Sequence, residues 1–288
     1  MELDPSAANA GVRLVALETI GSTNSEARSR AQRGDKGPLW ITAAAQTEGR
    51  GRGGRSWSSP PGNLYASLLL PNPSATERAP ELAFVTALAL RDAIVAEAPA
   101  FAPRLALKWP NDLLLAGEKC AGILIEGEVE PPMGVSVVIG IGVNCVYHPR
   151  IAPELPPDVE PTPMRPISLR EEAVLFPATD LRAHGADIAA PQLFTRLSAT
   201  MCRRIAQWDR GQGFTAILGD WLSAAHGVGE AIRVRNGERE TTGRFVGLDP
   251  TGRLVLELPG GELEKVSAGD VFPFAFHGDP PTLRRQAK

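Results

Sequence analysis

The chain has 288 residues, 43% of them hydrophobic, which is enough to build a packed core in one large domain or two smaller ones. The net charge of −3 at pH 7 argues against a protein that grips nucleic acid over a wide basic surface. Three cysteines without CxxC spacing indicate neither a disulfide framework nor a zinc site, and favour a reducing compartment. Since there is no cationic leader and no stretch of about 18 apolar residues, we expect a cytoplasmic protein without a membrane span.

Strands and helices alternate in the first hundred residues. A strand is predicted over 12–18, after which Ser22, Thr23 and Asn24 offer side-chain oxygens to cap a helix that Gly34 ends. Two more strands are predicted at 38–45 and 63–70. An amphipathic helix that packs one face on the sheet is predicted at 80–97.

The middle of the chain is rich in short apolar runs. Strands are predicted at 105–109, 113–115, 120–129 and 134–146, with a hairpin turn at Ala116-Gly117. Residues 149–166 hold seven prolines, so neither a helix nor a central strand fits them and a surface excursion is expected. Helices are then predicted at about 191–208 and 213–224.

The pattern changes after Gly229. From Ala231 onward, short strands alternate with turns at Asn236-Gly237, 249–252 and 259–261, which is typical of a small SH3-like barrel. The predicted fold class is therefore α+β: a mixed β-sheet packed with helices over 1–228, followed by a small C-terminal SH3-like β-barrel over 229–288.

Residues 47–57 read TEGRGRGGRSW, with three arginines and four glycines. Glycines allow close approach of backbone N–H groups, and guanidinium groups donate two parallel hydrogen bonds to phosphate or carboxylate, so the segment is suited to clamping an anion. It lacks the ending of a Walker A loop and the glycine spacing of a dinucleotide-binding turn. A solvated loop and an RNA-contacting segment remain the alternatives.

A second polar segment, KWPNDLLLAGEK, spans 108–119. Lys108 and Lys119 flank the pair Asn111-Asp112 at the end of a strand and beside a hairpin, so cations and a carboxylate could converge there. Taken singly, Trp109 could be a core residue, Asp112 a turn residue and Lys119 an exposed lysine.

Together these segments resemble those of the biotin protein ligase family. The resemblance rests on STN at 22–24, QTEGRGRGGRSWSSPPGNLYASLLL at 46–70, KWPNDLLLAGEKCAGILIE at 108–126 and GIGVN at 140–144, in that order, and covers about 12–275. It implies a class II synthetase-like catalytic domain. It also implies that biotin is joined to the α-phosphate of ATP, with Mg²⁺, and passed from biotinyl-5′-adenylate to a lysine of a biotin carboxyl carrier domain, as in acetyl-CoA carboxylase or a related carboxylase.

The resemblance also implies roles for particular side chains. Lys119, Arg52 and Asp112 match catalytic positions: Lys119 bridges the two anionic reactants, and Asp112 helps the carrier lysine lose its proton. The biotin-binding positions are Ser22, Thr23, Asn24, Gln46, Gly49, Arg50, Arg52, Lys119, Gly122 and Ile123. The ATP-binding positions are Arg50, Arg52, Arg55, Trp57, Asn111, Lys119 and Asn144, with Trp57 stacking on adenine, and no metal ligand is assigned. The glycine-rich loop is expected to order over the ligand.

Some members of the family carry a DNA-binding domain ahead of the catalytic domain. Only about a dozen residues precede the first strand here, so we expect a monofunctional ligase that does not bind DNA. A homodimer is possible. Cys120 is expected to be a packing residue rather than a nucleophile.

Two alternative functions remain open. One is a lipoate or octanoyl ligase, which shares the fold and the adenylate chemistry, and the other is a non-enzymatic nucleic-acid-binding module.

Overall fold

The computed structural model describes residues 1–130, 134–149 and 177–273. A seven-stranded sheet in the order β1-β2-β3-β7-β6-β5-β4 forms the centre of the larger part of the molecule. Its pairs are antiparallel except β1 with β2, which makes the sheet mixed, as predicted. The strands are β1 (Arg13–Ile20), β2 (Leu39–Gln46), β3 (Leu64–Pro71), β4 (Leu105–Lys108), β5 (Asp112–Leu115), β6 (Glu118–Glu130) and β7 (Gly134–Val143).

Helices cover both faces of this sheet, because successive strand residues point to opposite sides and both sets are apolar. The helices are α1 (Pro5–Asn9), α2 (Thr23–Gln32), α3 (Glu81–Glu97), α4 (Ala190–Trp208) and α5 (Phe214–Ser223). On one face of the sheet, Leu39 and Ile41 pack against α2. On the other face, Trp40 meets Phe194 of α4 edge to face, with ring centroids 5.5 Å apart. Of the helices in the described ranges, none is both long and apolar enough to cross a bilayer.

A second, five-stranded antiparallel sheet follows, in the order β11-β10-β9-β8-β12. It consists of β8 (Ala231–Asn236), β9 (Arg239–Leu248), β10 (Leu254–Glu257), β11 (Leu263–Val266) and β12 (Asp270–Pro273). Within the described residues β11 and β12 do not pair, so the sheet is consistent with the predicted SH3-like barrel but does not close. Closure requires strands that are long and staggered enough to meet, and β10 to β12 have only four residues each.

The small sheet packs directly on the large part of the molecule. Trp109 is 3% exposed, and its Nε1 donates a hydrogen bond to Gly252 O at 3.1 Å. Trp109 is therefore a core residue, as one reading of the sequence predicted. Gly252 has a φ of 83°, and a Cβ atom there would lie 2.7 Å from the Phe84 ring of α3. The turn before β10 can therefore approach α3 only because it carries glycine.

Several local predictions need correction. Ser22 holds the N-cap position of α2, but its side chain makes no capping hydrogen bond among the described residues. The hairpin loop between β8 and β9 is Gly237-Glu238, one residue later than predicted, because Asn236 pairs with Arg239. Helix α1 and strand β12 were not predicted, since neither shows enough apolar periodicity.

Other local predictions are confirmed or fall outside the described ranges. Helix α2 ends at Gln32, just before Gly34 with its φ of 82°. The predicted strand at 134–146 is β7, which pairs with β3 on one side and β6 on the other, and the homodimer stays a prediction. Apart from Pro149, the proline-rich span 149–166 lies outside the described residues.

Candidate active site

A cavity of about 420 Å³ opens between the start of α2, the loop 49–57, the hairpin of β5 and β6, and the end of β7. Of the predicted site residues, those that line it are Ser22, Thr23, Asn24, Gln46, Arg50, Arg52, Arg55, Trp57, Asn111, Asp112, Lys119, Gly122, Ile123 and Asn144. Gly49 is the exception. A Cβ atom there would lie 2.4 Å from Trp57 O and 2.5 Å from Ser59 Oγ, so Gly49 allows the loop to fold on itself behind the cavity wall.

One end of the cavity is built on a chain of polar side chains. Gln46 Oε1 accepts hydrogen bonds from Thr23 N at 2.9 Å and from Thr23 Oγ1 at 3.1 Å. Ser67 Oγ, fully buried on β3, lies 2.7 Å from Thr23 Oγ1 and 2.5 Å from Asn24 Oδ1. Asn24 Nδ2 in turn donates to Glu126 Oε2 at 2.7 Å. We call these five residues the polar network; it fixes the Thr23 and Gln46 side chains facing the cavity.

The floor of the cavity is made of glycines on β6 and β7. A Cβ atom on Gly140 would lie 2.3 Å from Asn24 Oδ1, and one on Gly142 would lie 2.6 Å from Trp57 Nε1. A Cβ atom on Gly122 would lie 3.0 Å from the Trp57 ring. These strands therefore need glycine so that Asn24 and Trp57 can lie flat against the sheet.

Trp57 lies at the other end of the cavity. Its ring rests on this glycine floor, with Lys119 Nζ 5.5 Å from the ring centroid. Within the described part of the chain, the Trp57 Nε1–H group is buried without a hydrogen-bond partner. The ring thus forms one wall of the cavity and brings an aromatic face next to a cation.

A lysine pair and one carboxylate lie at the centre of the site. Lys119 Nζ is 2.7 Å from Asp112 Oδ1, and Lys108 Nζ is 3.6 Å from Asp112 Oδ2. Burial alone would raise the pKa of Asp112, but the charges of Lys119 and Lys108 outweigh it and hold that pKa below its usual value. Asp112 is therefore a carboxylate at neutral pH. Lys108 is almost fully buried, whereas Lys119 is 31% exposed and faces the cavity.

The loop 49–57 is a small hairpin rather than an extended segment. Gly51 N donates to Arg55 O at 2.7 Å, and Trp57 N donates to Gly49 O at 2.8 Å. Gly53 and Gly54 have φ values of 61° and 75°, so the turn needs residues without a Cβ atom.

The three arginines of this loop project in different directions. Arg50 Nη2 donates to Ser25 Oγ at 3.1 Å and lies 3.5 Å from Glu126 Oε2. Arg52 Nη1 donates to Asn111 Oδ1 at 3.1 Å, and Arg55 Nη2 donates to Asp270 Oδ1 at 3.0 Å. The loop is thus tied both to α2 and to the small sheet, with its guanidinium groups around the cavity.

Two predicted nucleotide-side residues also bind protein atoms. Asn111 Nδ2 donates to Ile123 O at 2.5 Å, and Asn144 Nδ2 donates to Thr179 O at 3.0 Å. Both line the cavity while they hold neighbouring backbone in place. Cys120 is fully buried, and burial raises the pKa of its thiol to about 12, which fits the predicted packing role.

Several residues that shape the site had no role predicted from the sequence. These are Ser67, Glu126, Gly140, Gly142 and Asp270. The alternating glycines of GIGVN were a usable signal, because glycine repeated at period two in a strand marks a close approach on one face. No local signal distinguishes Ser67, Glu126 or Asp270 from ordinary strand residues.

Two family models match the chain. Residues 17–144 match the Biotin/lipoate A/B protein ligase family, and residues 227–272 match the Biotin protein ligase C terminal domain.

Among curated proteins, the chain is similar to the biotin–[acetyl-CoA-carboxylase] ligase of Paracoccus denitrificans. The two are 40% identical over 258 residues, which is 89% of this chain and 98% of the relative. The ligase of the same name from Mycobacterium tuberculosis is 32% identical, over 90% of this chain and 88% of its own. The bifunctional ligase/repressor BirA of Bacillus subtilis is 30% identical, over 91% of this chain and 74% of the relative.

Among solved structures, the chain is again similar to biotin protein ligases. The biotin protein ligase of Aquifex aeolicus, in complex with biotin and ATP, superposes with a TM-score of 0.69 at 25% identity, over 90% of this chain and 97% of that one. The biotin protein ligase of Leishmania major, in complex with biotinyl-5-AMP, superposes with a TM-score of 0.57 at 25% identity, over 89% and 99% of the two chains.

Proposed function

The chain belongs to the biotin protein ligase family, and we propose that the cavity beside Lys119 performs both steps of an ATP-dependent biotinylation of a carrier protein. In the first step, a carboxylate oxygen of biotin attacks the α-phosphorus of ATP. The new P–O bond gives biotinyl-5′-AMP, and the bond to the bridging oxygen breaks to release pyrophosphate. In the second step, a neutral lysine amine of the carrier attacks the acyl carbon. The C–N bond of an amide forms, the C–O bond to the phosphate breaks and AMP leaves, and the proton of the amine passes to water.

The observation that carries this proposal is the position of Lys119. Its ammonium group is held by Asp112 at 2.7 Å, faces the cavity and lies beside Trp57. Both reactants of the first step are anions, so a fixed cation between them offsets their repulsion and aligns them for attack. We assign Lys119 this bridging role, and assign Arg50, Arg52 and Arg55 to the phosphates and the adenylate.

The two ends of the cavity fit the two substrates. The biotin ureido ring is a neutral group that both donates and accepts hydrogen bonds, and the end with Ser22, Thr23 and Gln46 presents hydroxyl and amide groups of both kinds. The Trp57 face suits a purine, with Asn111 and Asn144 nearby.

Asp112 serves best as an orienting group in this scheme. Because its pKa is lowered, it holds protons poorly and would be a weak base toward the carrier lysine. We therefore propose that its charge positions Lys119 and attracts the incoming lysine, rather than storing the proton that this lysine loses.

The described residues contain no group of three His, Cys, Asp or Glu side chains that could hold a metal ion. Both oxygens of Asp112 already face lysines. Mg²⁺ keeps several waters and is usually bound through substrate phosphates with one or two carboxylates, so we propose that it arrives with the ATP phosphates, as part of the nucleotide substrate.

The acceptor is proposed to be the biotin carboxyl carrier domain of acetyl-CoA carboxylase, since the relatives from Paracoccus denitrificans and Mycobacterium tuberculosis are named for that carboxylase.

The division into a catalytic unit over 1–228 and a C-terminal unit over 229–288 stays a proposal. It is supported by the two separate sheets on either side of residues 224–230. The cytoplasmic location stays a prediction.

The test is biotin-dependent release of pyrophosphate from ATP, followed by mass spectrometry of a purified carrier domain. We expect release with biotin and a carrier heavier by one biotinyl group. Lipoate in place of biotin is the necessary control, because the matching family model includes both kinds of ligase. Activation of lipoate alone, or of neither acid, would contradict the assignment.

A further inference from the structure

Glu126, on β6, lies where two walls of the cavity meet. Its Oε2 accepts a hydrogen bond from Asn24 Nδ2 at 2.7 Å and lies 3.5 Å from Arg50 Nη2. Asn24 belongs to the start of α2, and Arg50 belongs to the loop 49–57. A single carboxylate oxygen thus contacts two segments that strand β2 separates along the chain.

The two contacts of this oxygen connect it to the parts of the cavity that are assigned to different substrates. Through Asn24, Glu126 is connected to Ser67 and to the rest of the polar network at the biotin end. Through Arg50, it is connected to the loop that carries the arginines assigned to the phosphates and the adenylate.

The charge of Glu126 fits a positioning role better than direct contact with a substrate. The side chain is 21% exposed and does not line the cavity, so its negative charge does not face the anionic substrates. It faces Arg50 instead, whose Nη2 also donates to Ser25 Oγ on α2. An ion pair with a hydrogen-bonded partner has a defined direction, which a freely rotating surface pair lacks.

We propose that Glu126 is a positioning residue that locks the loop 49–57 onto the start of α2, so that the biotin end of the cavity and the arginine loop form as one unit. This inference rests on the proposed function for its catalytic consequence. Its structural consequence can be measured without any substrate.

The first experiment is limited trypsin digestion of the wild type and of Glu126→Gln, with cleavage after Arg50, Arg52 and Arg55 mapped by mass spectrometry. Glutamine keeps an acceptor oxygen for Asn24 but loses the attraction for Arg50. We expect cleavage within the loop to be about three- to tenfold faster in the variant, with an unchanged unfolding temperature. Equal cleavage rates in the two proteins would overturn the proposal.

Arg28→Gln is the matched control. Arg28 Nη1 lies 3.6 Å from Glu126 Oε1, so this variant removes an ion pair of the same carboxylate while leaving both walls of the cavity in place. We expect its loop to be cleaved at the wild-type rate. Faster loop cleavage in Arg28→Gln would show that general loss of charge around Glu126, rather than its contact with Arg50, governs the loop.

The second experiment measures the biotin dissociation constant in a cycle of Glu126→Gln, Arg50→Gln and the double variant. We expect Glu126→Gln to weaken binding about three- to tenfold in the wild-type background and to have no further effect when Arg50 is already replaced. The same loss in both backgrounds would overturn action through Arg50. Wild-type protein that activates no biotin would contradict the proposed function, whereas the digestion result would still stand on its own.

Discussion

Arg55 Nη2 donates a hydrogen bond to Asp270 Oδ1 at 3.0 Å, and this contact ties the loop 49–57 to the first residue of β12 in the small sheet. Arg52 Nη1 lies 3.8 Å from the same oxygen. The small sheet therefore takes part in holding the arginines around the cavity, and is not merely an appendage packed on the outside.

Replacing Asp270 with asparagine tests this link. Both partners are about 30% exposed, so the pair contributes only about 1 kcal/mol, and we expect the KM for ATP to rise about three- to fivefold with little change in folding stability. The KM for ATP is measured from steady-state release of pyrophosphate. Glu264→Gln is the control, because Glu264 pairs with Arg239 on the same sheet but away from the loop. Unchanged ATP kinetics in Asp270→Asn would contradict the link.

Replacing Lys119 with alanine is expected to abolish adenylation while the protein stays folded. The cation that bridges the reactants is lost, which should lower kcat for pyrophosphate release at least about a hundredfold. Asp112 keeps Lys108 as a partner, so no unpaired charge is buried. Single-turnover formation of biotinyl-5′-AMP is the measurement, with exposed Lys36→Ala as the control. Normal adenylation in Lys119→Ala would remove Lys119 from its assigned role.

Replacing Gly142 with alanine is expected to displace Trp57 from the cavity floor. The added methyl group would lie 2.6 Å from Trp57 Nε1, closer than any carbon can approach, so the ring must move. We expect the KM for ATP to rise at least about tenfold and the tryptophan fluorescence to change.

Gly219→Ala is the control for this substitution. Gly219 lies within α5, and a Cβ atom there would meet no atom of the described residues within 4 Å. Alanine should leave activity unchanged and add up to about 1 kcal/mol of stability. If both alanine variants bind ATP normally, Trp57 does not depend on the glycine floor.

Asp249 gives a prediction for the dependence of stability on pH. Its Oδ1 accepts hydrogen bonds from Thr251 N at 2.9 Å and Arg253 N at 3.1 Å, and its Oδ2 accepts one from Arg253 Nε at 2.8 Å. Burial alone would raise the pKa of Asp249, but these donors outweigh it and hold the pKa far below its usual value of 3.8.

Because the folded-state pKa is depressed, the stabilisation by Asp249 is complete above the unfolded-state pKa and is lost as the pH falls through the folded-state value. Asp249→Asn should therefore lower the free energy of unfolding by about 1 to 3 kcal/mol at pH 7, and by progressively less below about pH 4. Urea titrations from pH 7 to pH 3 measure this, with the exposed Asp187→Asn as the control. A difference that does not change with pH would contradict the assignment.

Local patterns were sufficient for most of the elements. The apolar runs that predicted strands at 38–45, 63–70 and 134–146 correspond to β2, β3 and β7, because a strand buried on both faces is apolar at nearly every position. The segment 80–97 likewise corresponds to α3. The order of the strands in the sheet was not predicted, since pairing β3 with β7 joins segments about 70 residues apart that carry no local mark of each other.

The sequence by itself determined a loop suited to binding anions, because its arginines and glycines carry charge and backbone freedom in one contiguous run, and the order of its motifs resembled the biotin protein ligase family. Only the tertiary structure decided which groups hold these residues in place. Ser67 meets Asn24 across 43 positions of the chain, Asn24 meets Glu126 across 102, and Arg55 meets Asp270 across 215. Contacts at such separations exist only after the sheets have formed, because it is the pairing of strands that brings these side chains within hydrogen-bonding distance.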